Sequence, residues 1–177
     1  MGRSRYKVVQ DQHTYFVTCA VLNWLPLFSH PELAQLVQVS LQHLYQEQRL
    51  ALHAYVLLEN HLHIVGSSTA FSAEMRSFKS FTARGIIDLL VERRAEYDLH
   101  PFRFLKKPHK ENQTHQVWQE GFHPQAIVND SMLKQKIEYV HLNPVRRGYV
   151  DYLEQWRYPS ARQYFGHPGL IDIDLVM

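Results

Sequence analysis

Cysteine is almost missing: a single Cys19 in 177 residues excludes an internal disulfide and any zinc site built from thiolates. It fits a reducing compartment, and a cytoplasmic location is expected. Long apolar runs are missing as well. Nowhere does the chain hold the roughly 18 consecutive apolar residues that a membrane-spanning helix needs, so no membrane association is expected. The opening segment Met1-Gly2-Arg3-Ser4-Arg5-Tyr6-Lys7 is polar and basic with no apolar stretch behind it, which argues against a signal peptide. No repeat, low-complexity tract or linker interrupts residues 1–177, so one domain is expected, large enough to bury its own core. An excess of one charge is absent too, since 19 Lys and Arg stand against 17 Asp and Glu.

The basic residues are nevertheless grouped. Arg3, Arg5 and Lys7 open the chain, Arg103, Lys106, Lys107 and Lys110 lie mid-chain, and Lys134, Lys136, Arg146 and Arg147 flank a third region. Such clusters can neutralise phosphates in a protein that is nearly neutral as a whole. Taken alone, a basic cluster is more often a solvated face. The third carries weight because of the residues it brackets.

Hydrophobic periodicity orders the chain. Alternation over His13–Val21 predicts a first strand. Leu33, Leu36, Val37, Val39, Leu41 and Leu44 form the stripe of a helix over 32–48. Two strands, 53–58 and 61–66, are joined by a tight turn at Glu59-Asn60, where asparagine tolerates left-handed angles. Ser72 is expected to cap a long helix reaching about Tyr97, with Gly85 loosening it midway. Residues 99–114, with Pro101, Pro108 and Lys106-Lys107, read as an exposed loop, and 116–128 as one or two strands. Asn129-Asp130-Ser131 signals the start of a last helix that Pro144 ends near Leu142. An aromatic tail that packs back on the domain follows. The order β-α-β-β-α-β plus a helix predicts an α+β fold with a ferredoxin-like split β-α-β motif. Its central antiparallel sheet carries packed helices, a C-terminal catalytic helix and a short tail.

Two motifs carry chemistry. In His61-Leu62-His63, the histidines flank one apolar residue in a strand, so both imidazoles face the same way and can hold one divalent ion while Leu62 anchors the core. In Tyr139-Val140-His141-Leu142-Asn143-Pro144, tyrosine and asparagine stand four apart on a helix and share a flank, to one side of the Leu133–Ile137–Val140 stripe. Tyr139 can supply a hydroxyl nucleophile and Asn143 a third, oxygen-donating metal ligand. Attack by tyrosine on a phosphodiester keeps the bond energy in a phosphotyrosine, so a later hydroxyl can rejoin the strand. Because the reaction centre is a phosphate, Mg²⁺ or Mn²⁺ is the expected cofactor, although two histidines suit zinc also. Each motif has a bland counterpart. His-x-His arises by chance among 12 histidines, Tyr139 is one of 10 tyrosines, and asparagine before proline is a helix-ending signal. The pair is far more specific than either part.

With these residues the sequence resembles the REP-associated tyrosine transposases, in the superfamily of single-strand endonucleases that carry a His-hydrophobic-His motif. The matching pieces are Glu59-Asn60-His61-Leu62-His63-Ile64, Val117-Trp118-Gln119-Glu120-Gly121-Phe122, Tyr139 through Val150, and Trp156-Arg157-Tyr158-Pro159-Ser160-Ala161, in family order. The resemblance implies that His61, His63 and Asn143 are metal ligands. Tyr139 would attack single-stranded DNA beside a hairpin from a repetitive extragenic palindrome, leaving a 5′-phosphotyrosine and a free 3′-OH. Arg3, Arg5, Arg76, Lys79, Lys106, Lys107, Arg146 and Arg147 are then expected DNA contacts, and the protein is expected with the bacterial nucleoid. Gln125 stands where some members carry histidine. Monomer and homodimer both remain open, as do a domesticated hairpin binder that does not cut, a mobile insertion-sequence transposase and a hydrolase using water.

Overall fold

A computed structural model describes residues 13–106, 114–121 and 123–176. The elements are β1 (Thr14–Ala20), α1 (Pro31–Gln46), β2 (Ala51–Leu57), β3 (His61–Ser67), α2 (Phe71–Glu92), α3 (Glu96–Phe104), β4 (Gln125–Ala126), α4 (Asp130–Arg146) and a one-turn α5 (Ala161–Tyr164). The sheet order is β2-β3-β1-β4 with every pairing antiparallel. Each β-α-β unit, β1-α1-β2 and β3-α2-β4, therefore skips one strand that threads between its two. This is the expected split β-α-β, ferredoxin-like sheet.

Alternation in β1 divides the molecule into two layers. Tyr15, Val17 and Cys19 enter the core beneath α1 and α2 with Leu33, Val37, Leu41, Met75, Phe78 and Ile86. Phe16 turns to the opposite layer, where Ile137 and Val140 of α4 meet Ala54, Val56, Leu58 and Val65. A bulge at His53 lets Leu52 and Tyr55, three apart, both enter the first core. β3 lies between its two neighbours with both faces covered, and six of its seven residues are buried. Gly66 is required there, because a Cβ would stand 2.6 Å from the Ala51 carbonyl oxygen.

Several boundaries differ from the sequence reading. Ser72 lies inside α2, whose N-cap position is Ala70 with no side-chain cap. Gly85 serves close helix packing, since a Cβ there would approach Leu36 Cδ1 of α1 at 2.9 Å. The segment read as a loop from 99 begins as helix α3, which buries Leu99 and Phe102 despite Pro101. Among its described residues, the 116–128 region contributes the two residues of β4 and a bridge from Trp118 to Val21. Pro144 does not end α4. It costs one amide donor in the last turn, while Gly148 (φ 72°) ends the helix, its N–H donating to the Val145 carbonyl at 2.8 Å.

The tail packs along β2. Leu57 N–H donates to the Tyr158 carbonyl at 3.1 Å, Ser160 N–H to Tyr55 at 3.0 Å and Asp174 N–H to Leu52 at 2.8 Å. These bonds cover an edge strand that would otherwise present open backbone groups.

Candidate functional site

The two layers decide where His61 and His63 go. In β3, Leu62 and Ile64 enter the core under α1 and α2, so both histidines face α4. Because α4 lies over that face, their imidazoles are 1% and 4% exposed. Ile137 and Val140 dock α4 on the sheet, and the flank beside them brings Asn143, itself buried, and Tyr139, 37% exposed, to His63. The Tyr139 and His63 ring centroids are 5.4 Å apart, and Asn143 Nδ2 is 3.2 Å from His63 Nε2. Residues eighty positions apart thus converge as the sequence reading expected.

The hydrogen bonds around the histidines do not close among themselves. Asn60 Nδ2 donates to the Trp24 carbonyl at 3.3 Å, which orients its Oδ1 to accept from His61 Nδ1–H at 2.6 Å. His61 Nε2 therefore carries a lone pair. It points at His63 Nε2, 3.1 Å away, while Thr18 Oγ1 lies 2.8 Å from His63 Nδ1. If His63 Nε2 carries a lone pair, it repels that of His61. If it carries a hydrogen, it meets the N–H of Asn143. Neither tautomer satisfies both contacts. Asn143 Oδ1 is also buried with no partner among the described residues. One of these contacts is therefore always unmade, and turning the Asn143 amide over would bring its unpaired oxygen to His63. The two Nε2 atoms and that oxygen could then hold one divalent cation, and Asn60 and Thr18 would orient the rings from behind.

Burial keeps both rings neutral. It lowers the His61 pKa to about 4, with Arg147 adding to the effect. His63 is held well below the usual imidazole value by burial first, then by His61, Arg147 and Lys136. Neutral imidazole is the form that ligates metal. Around the pair lie aromatic rings and cations. Phe16 stacks on His63 at 5.4 Å and meets Tyr139 edge-on at 5.7 Å. Lys136 Nζ stands 4.7 Å from the Phe16 ring centre and 6.0 Å from that of Tyr139, and the Arg146 guanidinium is 5.7 Å from the Tyr139 ring. Arg147 pairs with Glu59 at 3.2 Å, and Tyr149 Oη donates to the same carboxylate oxygen at 2.9 Å. Among the described residues no three His, Cys, Asp or Glu side chains converge, and the further polar side chain beside the two histidines is the amide of Asn143.

The expected DNA contacts separate. Arg146 and Arg147 border the histidine site. Arg76 and Lys79 lie on α2, on the far side of the sheet, and line an open cleft of about 780 Å³ with Arg84 and residues 114–121. Lys79 is engaged there, donating to the Gln119 carbonyl at 3.1 Å. Lys106 follows α3, away from the histidines in the chain. Arg3, Arg5 and Lys107 lie outside the described residues. Gln125 sits in β4 opposite Phe16. Sequence reading missed Thr18, Asn60 as a side-chain acceptor, Phe16, Lys136 as a ring contact, and Trp24, whose indole meets the His61 ring edge-on at 5.3 Å. The register Thr18↔His63 and Ala20↔His61 brings in Thr18 and Phe16, and no local pattern announces it.

No family model matches the chain. A 44-residue stretch is 36% identical to a protein of Haemophilus influenzae provisionally named a REP-associated tyrosine transposase, and the match spans about a quarter of each chain. A solved REP-associated tyrosine transposase, bound to a REP hairpin, superposes with a TM-score of 0.66 at 17% identity over all of this chain and 94% of that one. No described helix is long and apolar enough to cross a membrane. In fold along its whole length, and in sequence over a quarter of it, the chain is similar to the REP-associated tyrosine transposases.

Proposed function

We propose that this protein nicks and rejoins single-stranded DNA beside hairpins, with Tyr139 as the nucleophile. The observation that carries the reading is the convergence of Tyr139 and Asn143 from α4 on His63 from β3, at 5.4 and 3.2 Å. The likeness to a transposase bound to a REP hairpin suggests the substrate, a palindromic hairpin with a single-stranded flank. His61 Nε2, His63 Nε2 and Asn143 Oδ1 would hold Mg²⁺ or Mn²⁺, which polarises a phosphate oxygen as a Lewis acid when bound.

The chain's own groups account for the rest. The half-exposed phenol of Tyr139 gives up its proton to solvent and attacks phosphorus in line. The P–O3′ bond breaks, and the departing oxygen takes a proton from water, leaving a 3′-OH and a 5′-phosphotyrosine. Lys136 and Arg146, both against the Tyr139 ring, offset the negative charge brought by the phosphate. Phe16 packs against the tyrosine edge and restricts its swing. A returning 3′-OH reverses the step and rejoins the strand.

The test uses labelled hairpin DNA with single-stranded flanks, incubated with protein and Mg²⁺ or Mn²⁺ and resolved on a denaturing gel. A protein-linked band that Tyr139→Phe abolishes, with hairpin binding retained, is expected. Cleavage without an adduct would replace the reading with water hydrolysis. Binding without cleavage, over several hairpins and both metals, would leave a DNA-binding protein that no longer cuts.

A further inference from the structure

Beside His61 the backbone does something uncommon. Asn23 and Trp24, consecutive in the turn Leu22–Trp24, both take left-handed angles, with φ of 52° and 56°. Asparagine tolerates that region, whereas a bulky aromatic rarely enters it. The turn is pinned at both ends of Trp24. Its N–H donates to the Val21 carbonyl at 2.9 Å, and its carbonyl accepts from Asn60 Nδ2 at 3.3 Å. The same Asn60 side chain accepts from His61 Nδ1, so one amide ties the strained turn to the site. The result is a tryptophan that the core does not use: its residue is 48% exposed, while its ring meets that of His61 at an interplanar angle of 71°. Strain kept at a site, on a residue whose burial does not repay it, points to a role in binding.

A rigid, open indole next to a strand-cleaving centre has an evident use. Every nucleobase has a π-face, and stacking on an aromatic side chain holds an unpaired base with little regard to sequence. Trp24 is placed to do this for a nucleotide whose backbone passes His61.

We infer that the Trp24 indole is a stacking platform for the base of an unpaired nucleotide adjoining the strand held at His61, His63 and Tyr139. The inference rests on the reading of that site as one that takes single-stranded DNA. Stacking fixes the direction and slack of the strand, and so where the phosphate lies relative to Tyr139.

Binding of two fluorescent probes to the full chain tests it: a DNA hairpin with single-stranded flanks, and the same hairpin with flush ends. Trp24→Ala is expected to weaken binding of the flanked probe roughly 5- to 100-fold and to leave the flush probe unchanged, whereas Trp24→Phe keeps most of the affinity. A single abasic site at one flank position should weaken wild-type binding by a similar factor and cost Trp24→Ala nothing more. Thermal melting of each variant reports folding. Should Trp24→Ala melt early, the abasic scan with wild type and Trp24→Phe decides alone. Wild type that binds the flanked probe while no abasic position matters, or Trp24→Ala that weakens both probes equally, overturns the stacking role and leaves the nuclease reading standing. Wild type that binds neither probe removes both.

Discussion

His63 has two neighbours that no protonation state of its ring can satisfy together, His61 Nε2 and the Asn143 amide. That conflict makes a prediction with a readout independent of catalysis. Mn²⁺ titrated into the protein should bind at one site. Asn143→Ala, which removes the buried unpaired oxygen, should weaken it at least about 10-fold, the scale on which even supporting residues act. His63→Ala should abolish it. Calorimetry or manganese paramagnetic resonance reads the result, and unchanged binding in both variants would remove the metal site. At this scale the sequence shows a great deal of the site but not its support. The two-residue period of a strand is enough to put His61 and His63 on one face. Thr18 and Trp24 reach the same rings from other elements, and nothing local marks them, while Asn60, next to His61 in the chain, acts through its side chain.

Among the elements, α4 carries most of the proposed site, and its start is set by chemistry visible in the sequence. Asn129 caps it, accepting from Met132 N–H at 2.8 Å. Asn129→Ala should therefore lower stability by about 1 kcal/mol, measured as a shift in urea midpoint, with hairpin binding intact because Tyr139 and Asn143 lie turns away. A loss of binding with no change in midpoint would count against this division of labour. The far end of the helix is harder to read. Proline is a strong stop in isolation, yet Asn143 keeps helical geometry before Pro144 because packing of the last turn outweighs one missing donor. That extension keeps Asn143, Arg146 and Arg147 on one rigid body. α3 escapes notice for a similar reason: its nine residues are polar enough to resemble a loop, and Leu99 and Phe102 mark a buried face only once a core exists to receive them.

At the scale of the whole molecule, Cys19 reports on the integrity of the two-layer fold. Burial raises its pKa from 9.0 to about 11, opposed weakly by Lys79. Because the folded pKa lies above the unfolded one, the neutral thiol contributes stability that is present below about pH 9 and lost as pH rises through about 11. Denaturant midpoints should fall over that window less steeply in Cys19→Ala than in wild type, and a thiol reagent at neutral pH should label Cys19 only as fast as the protein opens. Rapid labelling of the native chain would contradict the packing of β1. The sequence by itself determined the first three strands and the helices α1, α2 and α4, the shared face of His61 and His63, the cap of α4 and the two motifs, because these follow from periodicity and side-chain chemistry over a few neighbours. Tertiary structure alone decided that β3 is covered on both faces, which keeps its histidines neutral. It also decided that α2 carries Arg76 and Lys79 away from them, and that a strained turn from before α1 places Trp24 against His61. Those outcomes depend on strand register and layer packing between distant residues, which no local pattern encodes.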